Sequence, residues 1–97
     1  MLINVEKWCV EFELICDIMS KEIEKRKQIR NEMSELYENV EKLDRMYESS
    51  ENPVERGHIA AEIDEIQDKL EQLEIEYDMV NYMVKRLKEE RRMVLEK

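Results

Sequence analysis

Glycine, proline, histidine and tryptophan each occur once in these 97 residues. So few chain-breaking residues exclude a strand-rich fold, which needs many turn residues and draws on Val, Thr and aromatics for its strands. A single glycine leaves no Gly-rich loop to cradle a phosphate. A single histidine, His58, permits no Ser-His-Asp or Cys-His catalytic arrangement, no zinc ligand set and no Glu-x-x-His pairs of the di-iron bundle type. The longest apolar run is three residues, far short of the roughly 20 that span a bilayer. The N-terminal residues lack a basic segment followed by an apolar core, so no secretory leader is read there. Cytoplasmic localisation is the resulting expectation. The two cysteines, Cys9 and Cys16, lie seven apart on one expected helix, about 10 Å at the helical rise. A disulfide needs less than about 7 Å, so the pair does not close and a reducing compartment fits.

What the chain has instead is charge and period. Charged residues make up 42% of it and hydrophobic residues another 42%. Residues that lose little entropy in a helix, such as Glu, Lys, Leu, Met and Arg, dominate. Val5, Phe12, Met19, Arg26, Met33, Val40 and Tyr47 recur every seventh residue, and Trp8, Ile15, Glu22, Ile29, Leu36 and Leu43 follow them at coiled-coil spacing. A second run, from Ile59 through Ile63, Ile66, Leu70, Leu73, Tyr77, Val80, Val84, Leu87 and Arg91 to Val94, alternates steps of four and three throughout. Spacing sustained this long marks a coiled coil.

Between the runs, Asn52-Pro53 supplies an N-cap and a first helical residue, with Glu55 at the capping-box position. Gly57 argues for a later start, near His58, because glycine weakens a first turn. The expectation is one domain over 1–97, all-α: a long antiparallel two-helix coiled-coil hairpin. Its first helix covers about 4–48, its turn about 49–57, and its second helix runs from 53 or 58 to about 96. A register centred on Pro53 pairs Tyr47 with Ile59, Leu36 with Leu70, Ile29 with Tyr77, Met19 with Leu87 and Phe12 with Val94.

The two ends of this hairpin differ. Residues 28–78 hold sixteen acids against five bases, whereas the rest of the chain holds nine against eleven. The near-neutral open end carries more apolar residues than a two-helix seam can bury. Leu2, Val5, Cys9, Phe12, Cys16, Met19 and Ile23 form a second stripe, widened by Ile3, Val10, Leu14 and Ile18. On the second helix Met79, Tyr82, Met83, Met93 and Leu95 fall off the seam. A contiguous surplus marks an interface. Leu2, Val5, Trp8, Cys9, Phe12, Cys16, Met19, Ile23, Met79, Tyr82 and Met83 are therefore the candidate protein-interface residues. Homodimerisation into a four-helix bundle is the simplest way to cover them. A foreign helix in the same groove is the competing use.

Glu22 and Arg26 interrupt the seam four residues apart, a spacing that lets them pair along the helix. They read either as snorkelling side chains or as a polar layer that sets register. Basic residues cluster at 21–30 and 85–92, interleaved with glutamates. With a net charge of −9 and no interleaved aromatics, nucleic acid is an unexpected partner.

Glu38-x-x-Glu41 followed by Glu65-x-x-Asp68 resembles the ExxE…ExxD metal-binding pattern of the MazG-like nucleotide pyrophosphatases, an all-helical family of similar size. The resemblance implies a magnesium site. The heptad, however, places all four on solvent-facing positions, whereas a magnesium ion needs converging oxygens. No metal, cofactor or catalytic residue is therefore expected. The function expected is a non-enzymatic protein–protein interaction module: an adaptor, assembly chaperone, antitoxin or small inhibitor of a larger machine. The alternatives are a scaffolding coiled coil whose self-association is the function, and an acidic nucleic-acid mimic using the turn-proximal half.

Overall fold

In the computed structural model two helices account for nearly all of the chain. Residues 5–96 are described, with side chains from Cys9 onward. Helix α1 spans Val5–Ser49 and helix α2 spans Pro53–Glu96. They pack against each other as an antiparallel hairpin, and no strand occurs among the described residues.

The turn settles where α2 begins. The Asn52 side-chain oxygen accepts a hydrogen bond from the Val54 amide at 3.0 Å, and its carbonyl accepts from the Arg56 amide at 3.0 Å. Asn52 is thus the N-cap and Pro53 the first helical residue, whose missing N–H costs nothing at that position. The cap outweighs Gly57, through which the helix continues with ordinary negative φ. At the other side of the turn the Ser49 hydroxyl bonds back to the Arg45 carbonyl at 2.8 Å and reaches the Met46 carbonyl at 3.3 Å. The Arg56 guanidinium lies over the Tyr47 ring at 4.4 Å, a cation–π contact that covers the top of the seam.

An added Cβ at Gly57 meets nothing within 4 Å. Gly57→Ala is therefore expected to stabilise the hairpin by about 0.5–1 kcal/mol, through reduced freedom of the unfolded chain and better helix propensity. Thermal melting followed by circular dichroism should show a rise of a few degrees.

Backbone packing divides the chain into two units: the turn unit, 28–77, and the open-end unit, 1–27 with 78–97. This boundary falls within one residue of the charge boundary in the sequence. In the turn unit, Ile29, Ile59 and Leu70 are buried. The remaining seam residues there, such as Leu36, Leu43, Ile66 and Leu73, are half-buried. In the open-end unit Met19, Val80, Val84, Leu87 and Val94 are buried, and Val84, at 1% exposure, is the one side chain fully enclosed among the described residues. A seam one residue wide shields its side chains from only one direction. That is why so few reach full burial, and why further apolar surface on such a unit lies in solvent.

Candidate functional site

The open-end unit holds the residues that do not fit a two-helix structure. Heptad geometry puts flanking positions on each edge of the seam. Asn81, on one edge of α2, reaches α1 directly: Arg26 donates from its guanidinium to the Asn81 side-chain oxygen at 2.9 Å. On this first edge α1 presents exposed Cys9, half-buried Cys16 and Ile23, 37% exposed, while α2 presents Leu95.

The opposite edge is more apolar. Val10, Leu14 and Ile18 follow one another at steps of four, so they share one face of α1. They are 63%, 58% and 38% exposed. On α2, Met79 and Met83 also stand four apart and are 64% and 44% exposed, with Tyr82 and Met93 exposed beside them. The Arg86 guanidinium lies 6.0 Å from the Tyr82 ring centre. The turn unit, by contrast, exposes four scattered large apolar side chains, Tyr37, Met46, Val54 and Ile75, as ordinary surfaces do.

The sequence-derived interface residues divide accordingly. Met79, Tyr82, Met83, Cys9 and Ile23 are exposed. Phe12 and Cys16 are half-buried, Phe12 in the seam. Met19, counted in both the seam and the second stripe, is only 7% exposed. Its heptad position commits it to α2, so it does not belong to the open face. Leu2 lies outside the described residues, and the side chains of Val5 and Trp8 do too. Val10, Leu14 and Ile18, which the periodicity treats as a widening of the stripe, are instead the main exposed line of α1. Their signal was the step of four, which drifts off a strict heptad.

The polar interruption of the seam also resolves differently from its simplest reading. Glu22 and Arg26 are both half-buried, yet Arg26 reaches across to Asn81 rather than along the helix to Glu22. A part-buried guanidinium gains more from a fixed amide acceptor across the seam than from a flexible neighbour at its rim. Asn81→Ala should therefore cost about 1 kcal/mol, because it strands Arg26. Replacing Glu22 and Arg26 together by leucine should instead raise the melting temperature, by apolar filling of the same layer. Thermal melts of the two variants should move in opposite directions.

Further polar contacts cross the hairpin in the turn unit. Arg30 donates to the Tyr77 hydroxyl at 2.7 Å with its guanidinium 5.7 Å from that ring. The Tyr37 hydroxyl donates to a Glu74 carboxylate oxygen at 3.0 Å. That bond and the glutamate's charge hold the Tyr37 phenol above its ordinary pKa. All of these fix stagger between the helices, and Arg30, Tyr37 and Tyr77 also line a depression of about 160 Å³ with Met33 and Ser34. The depression beside the turn, about 480 Å³ and lined by Met46, Ser49, Ser50, Glu51, Asn52 and Glu55, holds no nucleophile–base pair.

Glu38, Glu41, Glu65 and Asp68 are all exposed. No group of three or more His, Cys, Asp or Glu side chains is placed to hold a metal ion among the described residues. No helix among them is long and apolar enough to cross a membrane. No protein-family model matches the chain, and neither a curated protein nor a solved structure is similar enough to lend it a function.

Proposed function

We propose that this protein is a non-enzymatic protein-interaction module that binds through the apolar edge of its open-end unit. The observation that carries this reading is the concentration of exposed apolar side chains there. Among the described residues, nine large exposed hydrophobics fall in the open-end unit against four in the turn unit. Surfaces of that kind are kept where something covers them. The methionines suit the role, since Met79, Met83 and Met93 offer unbranched, polarizable side chains that adapt to a facing surface. Catalysis has no comparable support. The single histidine, His58, is exposed beside the turn. The two free cysteines fit a reducing, cytoplasmic setting.

The test is site-specific photo-crosslinking in the producing cells. A photoreactive side chain at Leu14 or Met83 should give discrete protein adducts, whether to another protein or to a second copy of the chain. The same group at Glu62, exposed on the turn unit, should give none. Adducts from position 62 and none from 14 or 83 would move the binding surface to the acidic unit.

A further inference from the structure

The partner of this edge is identified by a symmetry in the open-end unit, and the inference rests on the reading of that edge as a docking surface. We infer that its occupant is a second copy of the chain, packed antiparallel edge to edge so that the two open-end units form a four-helix bundle.

The Arg26–Asn81 bond sets the stagger of the two helices. Because they run antiparallel with equal rise, each step back along α1 matches a step forward along α2. Leu14 is therefore level with Met93. Met83 is level with residue 24 of α1, and Met79 lies about one helical turn before Met83 on α2. The exposed apolar residues thus sit mainly at two levels, with Val10, Leu14 and Met93 on the outer one, Met79, Tyr82 and Met83 on the inner one, and Ile18 between them. A band of charge lies between them: Asp17 and Lys21 on α1, Arg86 and Glu90 on α2.

Turning the unit end for end about Met19 on α1 and Lys88 on α2 exchanges these levels. Leu14 comes level with Met83 of the second copy, and Val10 with Met79 of the second copy. The same rotation carries Asp17 onto Lys21 and Glu90 onto Arg86, and brings Glu11 within two residues of Lys25. One two-fold operation brings apolar residues of α1 level with apolar residues of the second copy's α2, and matches acid to base along each helix. An isologous dimer requires a self-complementary surface of this kind. Among the described residues the ion pairs are Glu41–Arg45 and Arg92–Glu96, which use none of these acids and bases, and Arg86 lies over Tyr82.

The area is sufficient. Seven large apolar side chains line this edge at 38–64% exposure. At roughly 100 Å² apiece they offer on the order of 700 Å² per copy before polar atoms are counted, close to the about 800 Å² per partner of a stable interface. The other edge has Cys9, Cys16, Ile23 and Leu95, and stays open after pairing.

Charge reversal tests the pairing and its direction together. Asp17→Lys with Glu90→Lys makes the central band all basic. Lys21→Glu with Arg86→Glu makes it all acidic. In sedimentation equilibrium each variant alone should show a dissociation constant raised at least tenfold over the unaltered chain, with unchanged helical circular dichroism. Their equimolar mixture should restore the unaltered affinity as a heterodimer. If each variant self-associates like the unaltered chain, or if mixing restores nothing, the antiparallel two-fold is wrong. If the unaltered chain stays monomeric while Leu14 crosslinks to a different protein, the edge remains a docking surface and the second copy is excluded as its occupant.

Discussion

Replacing Val84 with aspartate is expected to cost about 3–5 kcal/mol. Among the described residues Val84 is the one fully enclosed side chain, at 1% exposure, in the open-end seam that also buries Val80, Leu87 and Met19. A carboxylate there has no cation across the seam to meet it. Arg26 is held by Asn81, and Glu22, which the register sets opposite, adds like charge. The penalty is the desolvation of an unpaired charge. It should weaken as pH falls and the introduced carboxyl becomes neutral. A domain of this size has about 5–15 kcal/mol of stability in total, so the thermal transition should drop by tens of degrees or vanish. Lys88→Asp, on an exposed position one turn away, should move stability by less than about 0.5 kcal/mol. Urea melts of the two variants measure the contrast directly, and equal effects would mean that the seam does not run where the burial places it.

The second large effect concerns binding rather than folding. Leu14→Asp combined with Met83→Asp should leave the helical circular dichroism and melting temperature of the isolated hairpin nearly unchanged, because both side chains face solvent, at 58% and 44% exposure. Association through the edge should fall by at least a hundredfold, about 2.7 kcal/mol. The change removes two apolar anchors and places carboxylates where an interface would strip water from them. Exchanging exposed Glu62 and Asp68 of the turn unit for lysine should leave association unchanged. Sedimentation velocity at fixed concentration separates the cases.

Much of the seam was legible in the sequence. Every heptad position from Phe12 to Tyr47 and from Ile59 to Val94 is buried or half-buried, because a sustained alternation of three and four has one geometric solution in antiparallel helices. The start of α2 was not legible. Asn52 and Gly57 gave opposing local signals, and their balance depends on cap hydrogen bonds that only coordinates show. The partner of Arg26 was hidden for a related reason. Spacing of four pointed to Glu22, while Asn81 sits in the other helix with nothing in its own surroundings to mark it. The open edge was half legible. Composition located the apolar surplus at the correct end, but the regular stripe through Phe12, Cys16 and Met19 drew attention to residues that the seam itself consumes. Val10, Leu14 and Ile18, spaced by four, drift away from the seam and stay exposed. Periodicity alone does not rank two edges of one helix; burial does.

The central claim, that the open-end edge is an interface filled by a second copy, is tested most directly by the solution mass of the unaltered protein. Sedimentation equilibrium across roughly 1–100 µM, the range in which an interface of about 800 Å² per partner is expected to associate, should show the weight-average mass climbing from the 11.9 kDa chain towards twice that value and stopping there. A mass that stays at the single chain throughout this range would contradict it, and a mass that keeps rising past two copies would replace the closed two-fold with open-ended assembly.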